Sequence, residues 1–382
     1  MALIPLKEIC EISWGDTTVT KASYVTEGYP AFSASGCDGF LPYFDHEGAG
    51  IVLSAIGAQC GKIWFTQGRW SCIKNTIYIK SRSPDADTRY VFYATSDPNV
   101  WPKRGAAQPF ISQTDARNVE IELPPIPVQQ RIVGILSTYD ELIENSLRRV
   151  QVLEAMARAL YGEWFVQFRF PGHEKFQRIT SPLGNIPDGW AVKSIQQFGM
   201  VITGKTPSKA NIDFYGDDMP FVKTPDMHGN MFILGTNDCL STAGAESQAN
   251  KTLPAGSICV SCIGTIGVVS ITTEECQTNQ QINSVMLANP ASREFLFLRL
   301  QDAKQALENL GANGATMGNV NKGKFEAMEI ICPPDGLLAR YHRIVEPMFS
   351  EILSLFRQIQ NLRRTRDLLL PRLLSGDCAI NL

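Results

Sequence analysis

The chain changes its hydrophobic period twice, and in the same way each time. Up to residue 127, short runs rich in Val, Ile, Phe and Tyr (51–56, 63–65 and 77–80) alternate with turns rich in Gly, Pro and Asp. Such runs predict short strands, with one helix near 88–96. Pro124, Pro125 and Pro127 close this region, because proline fixes its own φ and biases its predecessor toward extended backbone. Then Ile132, Leu136, Tyr139, Ile143, Ser146, Val150, Leu153, Ala157, Leu160 and Trp164 follow at alternating steps of four and three. A 3.5-residue repeat sustained this long marks a coiled-coil seam rather than an ordinary surface helix. A linker punctuated by Pro and Gly occupies 169–190. Residues 191–336 return to strand-like runs, with one helix predicted over about 291–309. A second seam follows at Met348, Ile352, Leu355, Ile359, Leu362, Arg366, Leu369 and Leu373, with Arg366 as its polar break. Pro371 and Gly376 end that helix.

The two halves also match residue by residue. GAAQPFISQTDARNVEIELPP (105–125) aligns with GATMGNVNKGKFEAMEIICPP (314–334) at a constant offset of 209. Gly105 maps to Gly314 and Pro124 to Pro333. IVLSAIGAQCGKIWF (51–65) echoes ICVSCIGTIGVVSI (258–271), and Gly15 with Pro30 echoes Gly204 with Pro220. A unit this long is no solenoid repeat. The expected fold is α+β: two similar globular, strand-rich domains, each followed by a long helix. The boundaries are a first domain at 1–127, a helix at 128–168, the linker at 169–190, a second domain at 191–336, and a helix with a C-terminal tail at 337–382. The helices are expected to pair through Leu136, Ile143, Leu147 and Val150 on one side. On the other side stand Met348, Ile352, Leu355, Ile359 and Leu362. The intervening domain permits either orientation, and pseudo-twofold symmetry favours an antiparallel coiled coil.

Composition narrows the function. The chain has 382 residues, 44% apolar and 19% charged, as in an ordinary globular protein. No signal peptide and no uninterrupted bilayer-length apolar run appear, so a cytoplasmic protein is expected. Ten cysteines are scattered, several inside strand-like runs, and read as reduced core residues. Cys259-x-x-Cys262 is the one tight pair, and no second pair or nearby His completes a zinc site. The net charge is −3, the wrong sign for strong nucleic-acid binding by the chain alone. The charge is uneven: residues 337–376 hold seven Arg against three acids, and 180–336 hold ten Lys or Arg against fifteen acids. Any DNA-binding reading must therefore rest on local loops or on a partner that supplies positive charge.

Catalytic chemistry is poorly supplied. Gly199 to Thr206 fits the phosphate-binding pattern G-x-x-x-x-G-K-[ST]. That mechanism needs a flexible loop opening into a helix, whereas Met200, Val201 and Ile202 favour a strand and Pro207 follows. Four His stand in no metal-ligand spacing, and no G-x-S-x-G elbow appears. The Asn/Asp-Pro-Pro-aromatic motif of amino-methyltransferases is missing. No catalytic residue and no metal ligand are assigned.

What remains is a set of donor-rich loops at matched places. In the second half they carry Lys205, Thr206, Ser208 and Lys209; Lys223, Asp226 and His228; Asn279, Gln280 and Gln281; and Asn319, Asn321 and Lys322. In the first half the equivalents are Ser33 and Ser35, Lys74 and Asn75, and Arg104, Gln108, Ser112 and Gln113. Asn and Gln amides pair bidentately with adenine, and Lys or Arg with guanine. The same residue types are also what turns ordinarily contain. Their recurrence in both halves favours recognition.

With these residues in view, the chain resembles specificity subunits of type I restriction-modification enzymes. The resemblance is carried by LPPIPVQQRIVGILSTYDELIENSLRRVQVLEAMARALYGEWFVQFRFPGHE (123–174), GNIPDGW (184–190), GKTPS (204–208) and LLLPRLLSGD (368–377). It implies two target-recognition domains, each reading one half of a split DNA site, on two antiparallel helices that set the unread spacer. It further implies docking of modification subunits, which carry S-adenosylmethionine and methylate adenine, and of a restriction subunit that uses ATP and Mg. This chain itself would be non-catalytic and bind no cofactor. The first domain departs from the pattern, with Gly15-Asp16-Thr17-Thr18 in place of GKTPS. Two other readings stay open: a coiled-coil scaffold that joins proteins and reads no DNA, and a nucleotide-dependent enzyme resting on the phosphate-loop match.

Overall fold

The computed structural model describes residues 3–105, 107–312 and 318–376. Gly314 of the repeat and the tail beyond 376 lie outside them. The chain divides into two compact units, Met1–Glu144 with Gln360–Leu382, and Asn145–Ile359.

In the first unit an antiparallel sheet runs in the order Cys10–Trp14, Thr76–Ser81, Gly50–Ser54, Ile63–Thr66. A second sheet runs Gly36–Leu41, Tyr29–Ser33, Arg69–Cys72, His46–Glu47, with Tyr29–Ser33 and Arg69–Cys72 parallel. Leu3–Pro5 pairs with Glu120–Glu122. The continuous apolar run at 51–53 is explained by burial on both faces. Ile51 and Leu53 join Ile77 and Ile79 in the main core, while Val52 meets Phe32, Trp70 and Cys72. The helix predicted near 88–96 is Thr88–Ala94, capped by Asp87, which accepts from the amides of Arg89 and Tyr90 at 2.7 and 3.0 Å. Fully buried Gln129 ties the start of the first long helix to this region, with Nε2 donating to the carbonyls of Asp85 and Pro124 at 2.8 and 2.6 Å.

The second unit repeats this plan. Its main sheet runs Gly199–Thr203, Ile282–Leu287, Ile258–Ser261, Val269–Thr272, Phe232–Ile233. The smaller sheet runs Asp238–Leu240, Tyr215–Val222, Gln277–Thr278, with Tyr215–Val222 and Gln277–Thr278 again parallel. Ala191–Ser194 pairs with Glu329–Cys332. Two local expectations change. The helix predicted over 291–309 is two helices, Arg293–Asp302 and Lys304–Gly311, broken at Ala303. The first buries all five of its apolar side chains, and Ala303 at the break is buried with them. The stretch read as a linker contains a hairpin, Arg178–Ser181 with Gly184–Pro187. It buries Phe170, Ile186 and Trp190 in the core of this unit. The Gly and Pro signals marked its turns rather than a free connection.

The long helices are Ile126–Tyr161, continued by a π turn at Gly162–Val166, and Asp335–Leu374. In each unit they pack antiparallel. In the first, Leu373 shares a core with Ile132 and Leu136. There the polar break is compensated: Arg366 Nη1 donates to Asp140 Oδ1 at 2.7 Å, and Tyr93 OH donates to Asp140 Oδ2 at 2.5 Å. In the second, Arg149 Nη2 donates to Glu351 Oε1 at 2.5 Å and Tyr341 OH to the Ala157 carbonyl at 3.3 Å. Leu136, Ile143, Val150, Ile352, Leu355 and Ile359 are buried. Leu147, Met348 and Leu362 are only half-buried. Beside Met348, the buried positions are Val345 and Phe349. Phe349 also packs on Phe232 and Phe297 of its own unit, so the buried face there is wider than a two-helix seam.

Candidate nucleic-acid interface

In the second unit, backbone hydrogen bonds gather the predicted loops at one end of the sheets. Thr203 Oγ1 donates to Asn283 Oδ1 at 2.6 Å. The chain then crosses at Gly204, where an added Cβ would lie 2.2 Å from the Asn279 carbonyl oxygen and from Thr278 Oγ1. Only glycine allows that approach. The Lys205 amide donates to the Thr278 carbonyl at 2.9 Å, and that of Asn279 to Val222 at 3.1 Å. Cys262 donates to Gln281 at 2.7 Å and Val320 to Cys262 at 2.9 Å. The segments 204–206, 278–283, 319–320 and Lys223 are thereby drawn together.

Not every predicted side chain faces outward. Lys205, Ser208, Lys209, Gln280 and Asn319 are exposed. Thr206 Oγ1 donates to Gln280 Oε1 at 2.5 Å. Asn279 is buried, donating from Nδ2 to Gln281 Oε1 at 3.0 Å and accepting on Oδ1 from the Gln281 amide at 3.1 Å. Asp226 is also buried and holds a turn, accepting from the amides of Lys223 and Asn237 at 2.8 and 3.2 Å. Lys223 is half-buried and ion-paired with Asp238. Asn321 caps the helix Lys322–Ala327 through the Lys324 amide at 2.9 Å, and Lys322 lies 3.4 Å from Glu326. His228 is exposed at the end of the short helix Thr224–Met227. The sequence reading missed Gln248 and Gln277. Both are buried beneath the Lys205 loop, with Gln248 Nε2 donating to the Lys205 carbonyl at 2.9 Å. Residue type alone gave no signal for them, since glutamine ordinarily faces solvent.

The first unit builds the same end with different chemistry. Gly15 crosses where an added Cβ would lie 2.5 Å from Thr76 Oγ1 and 2.6 Å from the Ile73 carbonyl oxygen. The Asp16 amide donates to Cys72 at 2.9 Å, Ala55 to Asn75 at 3.0 Å, and Ile111 to Ala55 at 2.8 Å. These bonds bring 15–19, 73–76 and 104–111 together. Asn75 sits at φ 71°, in the left-handed region that Asn tolerates better than most residues. Lys74, Ser35 and Gln108 are exposed. Ser33 is buried and donates to Asp38 Oδ2 at 2.7 Å, which also takes Lys21 at 2.5 Å. Arg104 pairs with Asp115 at 2.5 Å. Ser112 caps the helix Gln113–Arg117, and Gln113 Nε2 donates to the Ile12 carbonyl at 2.7 Å. Arg104 and Ser112 hold the Asp115 carboxyl below the usual range, and Thr18 does the same for Asp16.

The phosphate-loop match forms no cradle. Gly199–Thr203 is a strand paired with Ile282–Leu287, and a 3₁₀ turn at Ile212–Phe214, not an α-helix, comes next. Cys259 and Cys262 are buried, and burial pushes their thiols up to about 12 and about 11. Among the described residues, no group of three or more His, Cys, Asp or Glu is placed to hold a metal, and no helix is long and apolar enough to cross a membrane.

A family model described as the type I restriction modification DNA specificity domain matches residues 1–155 and 187–348. The chain is 33% identical over 332 residues to the type I restriction enzyme HindI specificity subunit of Haemophilus influenzae, covering 72% of each protein. It is 27% identical over 282 residues to the MjaIX specificity subunit of Methanocaldococcus jannaschii, covering 72% of this chain and 64% of that one. A solved type I restriction-modification S subunit from M. genitalium shares the fold, with a TM-score of 0.65 at 14% identity over 98% of this chain and 96% of that one. The family match falls on both strand-rich repeats and spans most of the sequence. The chain therefore belongs to the type I restriction-modification DNA specificity family, as a specificity subunit with two copies of the domain.

Proposed function

We propose that each unit reads one part of a bipartite duplex DNA target through its gathered loop end. The observation that carries this reading is the duplication of that end. In both units a glycine crosses under the same turn, Gly15 at 73–76 and Gly204 at 278–279, and presents polar loops beside it. Lys205, Lys209, Gln280 and Asn319 are the base- or phosphate-contacting candidates in the second unit. Lys74, Ser35, Gln108 and Arg104 are those in the first. Asn279, Asp226, Ser33 and Gln113 shape the loops from within. The chain supplies no catalytic group and holds no cofactor. Modification subunits docked on the long helices carry S-adenosylmethionine and methylate adenine, and a restriction subunit uses ATP and Mg. Those partners also contribute the positive charge that a chain of net charge −3 lacks.

Methylome mapping of a host with and without this gene tests the reading. One split motif should lose adenine methylation when the gene is absent. Exchanging residues 1–122 for the matching domain of a relative should change one part of that motif and leave the other intact. The purified chain alone should show no methyltransferase, nuclease or ATPase turnover. An unchanged methylome, or turnover by the lone chain, would refute the proposal.

A further inference from the structure

We infer that Gln248 and Gln277 are positioning residues for the second half of the DNA target, acting through the backbone of Lys205. This rests on the DNA-reading role proposed above. The two side chains are 4% and 0% exposed. Nε2 of Gln248 donates to the Lys205 carbonyl at 2.9 Å and to Oε1 of Gln277 at 2.8 Å. Nε2 of Gln277 donates to the Ala245 carbonyl and to Thr252 Oγ1, each at 2.9 Å. Gln248 thus donates both up to the loop and down to Gln277, and Gln277 in turn ties the pair to Ala245 and Thr252. Lys205 is held from two sides, since its own amide donates to the Thr278 carbonyl at 2.9 Å. Its side chain stays exposed, and no ion pair engages it among the described residues. Oε1 of Gln248 is buried without a hydrogen-bond partner. An orphaned buried acceptor is costly and rare in folded proteins. Among the described residues of the first unit no such chain occurs. Ser71, which precedes Cys72 as Gln277 precedes Thr278, is a buried serine that accepts from the Asp45 amide at 3.1 Å.

The test uses the assembled methyltransferase, this chain with its modification subunits, and duplexes altered in one half-site at a time. Gln248→Met keeps the volume and removes the donor. Discrimination at the second half-site should fall about tenfold or more, with the first unchanged. Ile258→Ala, a cavity in the same unit away from the loop, serves as a control destabilised by the same mechanism as any core truncation. It should lower the unfolding midpoint and leave both half-sites discriminated. If Gln248→Met does not fold, Gln248→Asn, which keeps the amide but shortens its reach, is scored the same way. Unchanged second-half discrimination would overturn the inference. So would loss at both half-sites in step with the melting curve, or equal loss in Ile258→Ala. A wild-type complex with no target preference would instead defeat the DNA-reading role itself.

Discussion

The loop ends of the two units share a backbone and differ in how their charges are engaged. In the first, Lys21 is tied to Asp38 and Arg104 to Asp115, so two of its cations are already paired. In the second, Lys223 and Lys322 are likewise paired, with Asp238 and Glu326, but Lys205 is exposed and its loop is braced from below by buried amides. The crossing glycines, the parallel pairing of Ala31 with Ser71 and of Phe221 with Gln277, and the order of the main sheets recur in both. The frame is thus separable from the chemistry mounted on it. Sites of different sequence can be read from one scaffold by changing loop residues, because base-edge contacts rather than the fold carry sequence information.

The most damaging way to break the comparison is to attack what both units need, the helix seam. Leu136 is 0% exposed in the first unit and Leu355 is 2% exposed in the second. A carboxylate at either place has no partner, and the lost packing alone is worth roughly 2–5 kcal/mol. Leu136→Asp and Leu355→Asp should each lower the unfolding midpoint strongly and abolish co-purification with modification subunits. A variant that melts like wild type would show that the seam is not buried in solution.

Next come the crossings, where the units should fail separately. Gly15→Ala and Gly204→Ala each push a methyl group against backbone oxygens, with approaches of 2.6 Å and 2.2 Å respectively. Overpacking of this kind costs about 1–3 kcal/mol and moves the loop. Gly15→Ala should relax only the first part of the methylated motif, and Gly204→Ala only the second. Both variants altering the same part would break the equivalence of the two ends.

Single side chains sharpen the contrast further. Lys205→Ala removes an exposed cation on a braced loop, and Lys74→Ala an exposed cation of the first unit's loop end. Each should weaken one half-site by roughly 1–3 kcal/mol if it meets a base edge. A uniform loss across sequences with a shallower salt dependence would mean a phosphate contact instead. Binding assays on half-site variants at two salt concentrations separate these outcomes.

Much of the frame was legible in the sequence because it depends on spacing. The 3.5-residue repeat located both long helices, and the offset of 209 disclosed the duplication. Side-chain direction was less accessible. Asn279, Asp226, Ser33 and Gln113 have the right chemistry for DNA contact but turn inward to hold loops. Asx and Ser turn geometry competes with surface display for the same residue types. Gln248 and Gln277 were invisible for the opposite reason, since their burial depends on contacts some 30 residues apart in the chain. Met348 held a correct heptad position, yet Phe349 took the deeper place because the helix also faces its own unit's core.

The smallest effect concerns one ion pair of the first unit, Arg104 with Asp115. Arg104, and then Ser112, hold Asp115 below its ordinary value, near 3.9 for an unperturbed Asp. A depressed folded value means the contribution to stability is present above the unfolded value and is lost as pH falls through the folded one. Above about pH 4 the carboxylate therefore supports the helix cap and restrains Arg104; in stronger acid it is protonated and does neither. Because Arg104 is largely exposed, solvent and salt weaken the pair. Asp115→Asn should melt slightly below wild type at neutral pH, and the two curves should converge as the pH drops below about 4. The same substitution frees Arg104 at neutral pH. A small gain in salt-sensitive affinity for duplex DNA should appear in the assembled complex, with the second half-site unchanged. If the melting difference instead widened in acid, the ion pair would not be what holds Asp115. If freeing Arg104 left DNA affinity unaltered, its side chain would lie outside the footprint of the first unit on DNA.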